Sequence, residues 1–151
     1  RVMESLGAKA CQDILSNAVY LENQSFVSVA GLKIWGSPHS AANSDKSPNR
    51  AFQDTATMAK SADSIPADVD IVAVHGNPAS MPPVMDALRR ISTVSIPLVV
   101  FGHVHQMHGV HRFGKSLGLN GALLGKRLQP VNVPVVYDMP RPGANEQVAR
   151  L

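Results

Sequence analysis

Two histidines separated by one residue follow a short apolar stretch in the second half of the chain. Residues 98–101 are Leu-Val-Val-Phe, and Gly102, His103 and His105 come directly after them. Four apolar residues bounded by a glycine predict a buried strand. Because residues two apart in extended backbone point to the same side, both imidazoles are expected to face one point. Neutral imidazole is the commonest protein ligand for divalent metals, so this spacing predicts metal ligands.

A second predicted strand with the same kind of ending lies upstream. Residues 70–74 are Asp-Ile-Val-Ala-Val, and His75 and Gly76 follow them. If the two strands are parallel neighbours, three imidazoles meet at their carboxyl ends, where open α/β sheets bind ligands. A lone His-x-His pair is weak support, because partly buried structural histidines are common. The pair after one apolar strand, together with a second strand followed by a histidine and a glycine, favours a metal site with His75, His103 and His105 as ligands.

The composition is that of a globular domain. The chain has 151 residues, a formal net charge of +3 and 44% hydrophobic residues, which predicts one folded domain and excludes a disordered chain. The charge is compatible with an anionic substrate and too weak to predict nucleic-acid binding. The single Cys11 excludes a disulfide within these residues and a cysteine-based zinc module. No apolar run approaches the roughly 20 residues that cross a bilayer, and no signal-peptide pattern is present, so we expect a cytoplasmic protein without a membrane partner.

The remaining pattern predicts a mixture of helices and strands. Helices are expected up to about Ser16, from Arg50 to about Ala62, and from Val84 to Ile91. Further strands are expected at residues 19–22, 25–29, 32–35, 106–113, 116–120 and 133–138. Ala30 and Gly31 form the predicted hairpin turn between the second and third of these. A polar loop up to Asn49 is either a substrate-facing lid or a plain surface connection, and the segment after Pro140 is expected to have little order.

Three more histidines and one aspartate are assigned structural roles. His39 follows a Gly-Ser-Pro turn and is predicted to lie in a surface loop, with an approach to the site as the alternative. His108 and His111 are interpreted as structural, because a glycine between them interrupts the alternation that would align His111 with His105. Asp138 is expected to end the last strand and cap a turn rather than bind a metal.

Residues 109–116 match the P-loop pattern letter for letter, but their context does not support one. A P-loop needs a buried strand before it and a helix that begins at its lysine and serine, here Lys115 and Ser116. Three glycines within residues 118–125 disfavour that helix, since each costs up to about 1 kcal/mol relative to alanine. The sequence predicts a β-hairpin with Gly114 in its turn instead.

The histidine segments resemble a known family. Residues 102–105, Gly-His-Val-His, are similar to the last metal motif of calcineurin-like metallophosphoesterases, and residues 74–78, Val-His-Gly-Asn-Pro, to the motif before it. Residues 20–22, 32–38 and 129–138 resemble the metallophosphoesterase-domain-containing (MPPED-type) branch of that superfamily. The resemblance covers most of the chain, from residue 19 to residue 140.

The resemblance implies a metal-dependent phosphoesterase or phosphodiesterase with a water activated by two divalent ions, Mn, Fe or Zn. By position, it implies that His75 and His103 bind the second ion and His105 the first. The implied fold is α/β, the carboxyl-terminal half of a calcineurin-like αββα sandwich. In it, a mixed sheet has parallel strands ending at the metal site, followed by antiparallel strands. Residues 1–140 would be this partial domain and residues 141–151 a tail, with a small phosphoester or phosphodiester as substrate.

Three earlier motifs of the family are absent from the sequence. They are an Asp-x-His, a Gly-Asp-x-x-Asp and a Gly-Asn-His followed by an acid, which supply the bridging carboxylate, an asparagine ligand and the catalytic histidine. No catalytic residue is therefore predicted in this chain. Gly76 and Asn77 do not substitute for the third motif, because Pro78 follows them.

The missing carboxylates have a direct physical consequence. Three neutral imidazoles cannot hold two dications close together, because nothing offsets the repulsion between the ions. We therefore expect the 151 residues alone to be inactive and to require the missing amino-terminal half of the same domain as their partner. The alternative is a non-catalytic metal-binding or scaffolding remnant of the fold.

Overall fold

The computed structural model describes residues 9–10, 13–28, 30–41 and 51–139. Its strands are β1 (Gln24–Val27), β2 (Lys33–Ser37), β3 (Ile71–Val74), β4 (Leu98–Phe101), β5 (Gly109–Phe113) and β6 (Ser116–Asn120). Its longer helices are α1 (Thr55–Asp63) and α2 (Pro82–Ile91), and short 3₁₀ turns span Pro78–Ser80 and His105–Met107. None of the helices in this described part is long and apolar enough to cross a membrane.

The six strands form one mixed sheet in the order β1-β2-β3-β4-β6-β5. Strands β2, β3, β4 and β6 run parallel, and β1 and β5 pair antiparallel with β2 and β6. Helices α1 and α2 lie in the crossovers that parallel neighbours require. The predicted α/β class, with parallel strands followed by antiparallel ones, is confirmed. The carboxyl ends of β3 and β4 consequently lie side by side.

One face of the sheet is covered by both helices. Alternate residues of the central strands, Val72 and Val74 on β3 and Val99 and Phe101 on β4, are buried in the same apolar core as Leu88 of α2. The opposite face is more open, since Val100 is 37% and Val110 62% exposed. Burial of one face fixes the register of each strand and therefore the direction in which its last residues point.

Helix α1 begins later than the sequence suggested. Residues 51–54 are not helical, and Phe52 has a left-handed φ of +56°. The carboxylate of Asp54 accepts hydrogen bonds from the backbone N–H groups of Ala56 and Thr57, at 2.8 and 3.0 Å. Such an N-cap stabilises the start of a helix at the residue after it. Helix α2 and strands β3, β4 and β6 lie close to their predicted ranges.

Two predicted strands are wrong. Residues 19–22 form no strand, because the Gln24 side chain donates to the Tyr20 carbonyl and Asn23 has a φ of +58°, which makes a local turn. Residues 133–138 form no strand either, although Val133 and Val136 favour one. No described strand runs beside this segment to share a ladder of hydrogen bonds, and Val136 is 85% exposed. The prediction that Asp138 ends a strand is wrong for the same reason.

The predicted hairpin turns, unlike these two strands, are present in the structure. Gly31 and Gly114, in the two hairpins, have left-handed φ values of +80° and +63°, and both hairpins are confirmed. Residues 109–116 are therefore a β-hairpin and not a P-loop. The strand predicted at residues 106–113 begins only at Gly109, since the 3₁₀ turn precedes it.

Some predictions concern residues outside the described part of the chain. These are most of the first helix with Cys11, residues 42–50 of the polar loop, and the segment from residue 140 onwards.

Candidate metal centre

The structure brings His75 and His103 together. His75 follows β3 and His103 follows the neighbouring β4, and the N–H of Gly102 donates to the His75 carbonyl at 3.1 Å. The centroids of the two imidazole rings lie 4.7 Å apart with their planes at 45°. Two of the three predicted ligands therefore share one point at the carboxyl edge of the sheet.

The surroundings of His75 favour its neutral form. His75 is exposed at the sheet edge, but partial desolvation lowers its pKa, and the repulsion between its positive form and His103 lowers the pKa further. A neutral imidazole offers a lone pair to a metal ion, whereas an imidazolium does not. The environment of His75 therefore favours the protonation state in which an imidazole can bind a metal ion.

His105 lies apart from this pair, in the 3₁₀ turn after β4. Its Nδ1 lies 3.1 Å from the carbonyl oxygen of Gly125. A carbonyl only accepts, so Nδ1 carries the proton and Nε2 keeps the lone pair of the neutral ring. Histidines that bind metals commonly donate their other ring N–H to such a carbonyl. The described residues nevertheless contain no group of three or more His, Cys, Asp or Glu side chains close enough to hold a metal ion.

A buried asparagine supports the loop that carries His103 and His105. His103 has a left-handed φ of +66°, and the N–H of Val104 donates to the Gly102 carbonyl at 2.7 Å. Asn120, fully buried at the end of β6, donates from Nδ2 to the Val104 carbonyl at 2.9 Å. Sequence reasoning missed Asn120. The available signal was a polar residue that ends an apolar strand.

The other histidines have different environments. His39 is only 9% exposed, so its predicted surface position is wrong; its ring packs edge-on against Phe52 with centroids 5.5 Å apart. It is buried because it follows β2, and its backbone N–H donates to the Ser37 hydroxyl at 3.2 Å. His108 and His111 each donate from Nε2 to a backbone carbonyl, at 2.8 and 2.6 Å, which agrees with their structural interpretation.

A pocket of about 310 Å³ lies at the same edge of the sheet. Its lining includes Ser40 from the loop after β2, Gln53 before α1, Asn77 and Ser80 after β3, and His103 after β4. We call it the strand-end pocket. Sequence reasoning missed it, because its lining comes from four separate segments, and only Asn77 and His103 among those residues belong to a recognised motif.

The imidazole nitrogens are of a type that binds divalent metals, but too few ligands lie close together among the described residues to complete a site. Imidazole nitrogen suits zinc and iron. A catalytic zinc site uses three protein ligands, and here two rings are close together while the described residues place no carboxylate with them. The donor types therefore suit a metal ion, but the described residues do not bring together the number of ligands that a complete site needs.

Curated proteins are similar to this chain over most of its length. UPF0046 protein C25E10.12 of Caenorhabditis elegans is 31% identical over 157 residues, covering 93% of this chain and 53% of that protein. Metallophosphoesterase domain-containing protein 1 of Homo sapiens is 31% identical over 142 residues, covering 87% of this chain and 43% of that protein. No protein-family model matches. The chain thus spans about half the length of these relatives. The resemblance stated from the histidine motifs is confirmed, and over most of its length the chain is a homologue of the metallophosphoesterase-domain-containing proteins.

Proposed function

We propose that this chain supplies metal ligands and part of the substrate pocket of a phosphoesterase or phosphodiesterase that uses two divalent ions. The observation that carries the proposal is the pairing of His75 and His103, 4.7 Å apart at the ends of adjacent parallel strands. Homology to a metallophosphoesterase domain-containing protein gives the reaction class.

Each histidine has a separate part in this proposal. His75 and His103 hold one ion through neutral nitrogens, and His105, oriented by Gly125, presents Nε2 to the other. Divalent ions bound there supply Lewis acidity and lower the pKa of water. The chain itself fixes the rings on rigid strand ends, so that little rearrangement is needed on binding. Acidic ligands, which offset the repulsion between two dications, come from an amino-terminal half of the domain.

We infer that the chain alone does not hydrolyse phosphoesters. Its described residues place no carboxylate beside the histidine pair, and its relatives are about twice as long. The open second face of the sheet, with exposed Val100 and Val110, offers the missing half an apolar surface to pack on.

Metal affinity tests the ligand assignment directly. Binding of Mn²⁺ and Zn²⁺ to the chain is measured by calorimetry for His75→Ala, His103→Ala and, as control, His111→Ala. The first two should weaken binding more than about tenfold, since changes even to residues behind the ligands have such effects. His111→Ala removes a ring that is bonded to the Met107 carbonyl and should leave the affinity unchanged. Equal affinities for the three variants would contradict the assignment.

Activity tests the division between the two halves. With Mn²⁺ and a generic phosphodiester, the chain alone should show no turnover. A longer protein that carries both halves should be active and lose its activity on His75→Ala. Robust turnover by the chain alone, lost on His75→Ala, would refute the need for a second half.

A non-catalytic remnant of the fold is the second candidate. The observation in its favour is that no three potential ligands converge among the described residues. A longer protein that binds metal with these histidines and hydrolyses no phosphoester would support this candidate over the enzyme.

A further inference from the structure

We propose that the strand-end pocket binds the alcohol part of the phosphoester, that it selects an uncharged group, and that Asn77 is its hydrogen-bond donor. This inference deepens the proposed function and rests on it. It assigns a chemical class to the part of the substrate that leaves after hydrolysis.

The position of the pocket suits this role. It opens where β2, β3 and β4 end, and His103 is part of its wall. Ligands of open α/β sheets bind outside the carboxyl ends of the strands. A phosphoester whose phosphate lies at the histidine pair therefore extends its organic group into the pocket. A volume of about 310 Å³ is at the small end of ligand pockets and fits one ring-sized group.

The side-chain amide of Asn77 has hydrogen-bond donor capacity that no strong acceptor among the described residues uses. Its side chain is buried, with 8% of the residue exposed, and its Oδ1 accepts the N–H of Ala79 at 2.9 Å. Its Nδ2 has one partner among the described residues, the thioether sulfur of Met107 at 3.3 Å. An amide nitrogen carries two hydrogens and a thioether is a weak acceptor. A buried donor that is poorly satisfied is costly, and an oxygen atom on a ligand would satisfy it.

The lining selects against charge. The polar side chains among the described lining residues are neutral, namely Ser40, Gln53, Asn77 and Ser80, apart from the imidazole of His103. Burial of an ionised group without a partner is strongly unfavourable, whereas an uncharged amide or hydroxyl needs only hydrogen bonds. The pocket therefore takes an uncharged group with a hydrogen-bonding oxygen in preference to a carboxylate, an ammonium or a second phosphate.

Binding without metal tests the pocket independently of hydrolysis. The full chain is titrated by NMR with 4-hydroxybenzamide and with 4-hydroxybenzoate, which differ in charge and hardly in size. We expect the amide to bind at least about tenfold more tightly and to shift the side-chain NH₂ signal of Asn77. Equal affinities, tighter binding of the benzoate, or an unmoved Asn77 signal would overturn the proposal. Because neither metal nor turnover is involved, such a failure is distinct from failure of the proposed function.

Two kinds of variant locate the binding. Asn77→Asp keeps the acceptor for Ala79 and removes the NH₂ donor, so it should weaken binding of the benzamide about fivefold or more. Gly76→Ala introduces a methyl group whose nearest neighbours, in Ser40 and Met81, lie 4.0 Å away, so the methyl fits without a clash and enters the pocket. Gly121→Ala is the matched control, with nothing within 4 Å of the added carbon.

The glycine pair keeps the test decisive if Asn77→Asp does not fold. Gly76→Ala should weaken binding of the benzamide and Gly121→Ala should not, whereas equal effects of the two substitutions would overturn the proposal. In a longer active protein with Mn²⁺, aryl phosphodiesters with a carbamoyl group on the leaving phenol should have a higher kcat/KM than those with a carboxylate. Turnover without this preference would also overturn it.

Discussion

The two loops that carry the histidines are held in place in different ways. In the first loop, residues 75–77, part of the support is local: the Asn77 side chain accepts the N–H of Ala79, two residues further along. The loop also bonds to the second one and the residues just after it, since the His75 carbonyl accepts the N–H of Gly102 and Asn77 Nδ2 donates to Met107. In the second loop, residues 102–105, the support is distant in sequence. Asn120 bonds the Val104 carbonyl across 16 residues, and the Gly125 carbonyl orients His105 across 20.

The difference indicates which histidines are more sensitive to substitutions elsewhere in the chain. The Asn77–Ala79 bond forms within its own segment, whereas the bonds from Gly102 to His75 and from Asn77 to Met107 also need the second loop and the residues just after it. The second loop has its geometry only when β6 and the following turn are already in place. It also contains the left-handed φ of His103, a backbone conformation that costs free energy and persists only when neighbouring structure enforces it. Substitutions in β6 and the turn after it should therefore disturb His103 and His105 more than His75.

The largest effect is expected when the distant support is removed. Asn120→Ala, at a fully buried residue, removes the partner of the Val104 carbonyl and of the Ala122 N–H, which belong to partly buried residues. The loss of both hydrogen bonds at these partly buried groups should lower the free energy of unfolding by about 2 kcal/mol. The second loop should also lose order, with about tenfold weaker metal binding. Urea unfolding and metal titration measure the two effects.

Asn132→Ala is the control for that substitution. Asn132 donates to the Ala122 carbonyl at 2.9 Å, close in space to Asn120 but in a more exposed setting. Its loss should cost less than about 1 kcal/mol and leave metal binding unchanged. Equal losses for the two asparagines would show that the second loop does not depend on β6.

The same contrast explains how much of the molecule could be predicted from its sequence. Strands β3 and β4 and the turn at Gly114 were predicted correctly, because an apolar run or a turn glycine determines local structure through residues close in sequence. Asn77 and Asn120 were missed, since the significance of each depends on a partner or a pocket that the sequence does not reveal. The strand predicted at residues 133–138 failed for the opposite reason. Its β-branched residues fit a strand, but pairing requires a neighbour that the described part of the chain does not provide.

A smaller effect on stability is expected from substitutions that probe the backbone conformation of each loop. At residue 103, where φ is +66°, glycine is the less strained replacement, so His103→Gly should be about 1 kcal/mol more stable than His103→Ala. At residue 75, which has no left-handed φ, the order should reverse, because glycine loses more chain entropy on folding. Thermal unfolding of the four variants measures both differences. The same order at both positions would contradict a strained second loop.

The smallest expected effect is on the pH dependence of stability. It concerns two capping residues at the same edge of the sheet, Asp54 and Asn77. Backbone N–H groups of Thr57 and Ala56 hold the pKa of Asp54 below its ordinary value of 3.8. Asn77, which caps the turn after β3, carries no charge. Because the folded-state pKa of Asp54 lies below the unfolded one, its contribution is complete above the unfolded value and is lost as the pH falls through the folded one.

Reciprocal substitutions turn this difference into a measurement. Asp54→Asn keeps a good cap and removes its titration, so the loss of stability with falling pH should become shallower below the ordinary aspartate pKa. Asn77→Asp places a carboxylate at a buried residue, where desolvation raises its folded-state pKa, so this variant should lose stability relative to the parent chain as the pH rises. Urea unfolding of both variants and the parent chain, repeated at several acidic pH values, gives the slopes. Parallel slopes in all three proteins would mean that neither cap is linked to folding, and the local support assigned to the first loop would then lose its physical basis.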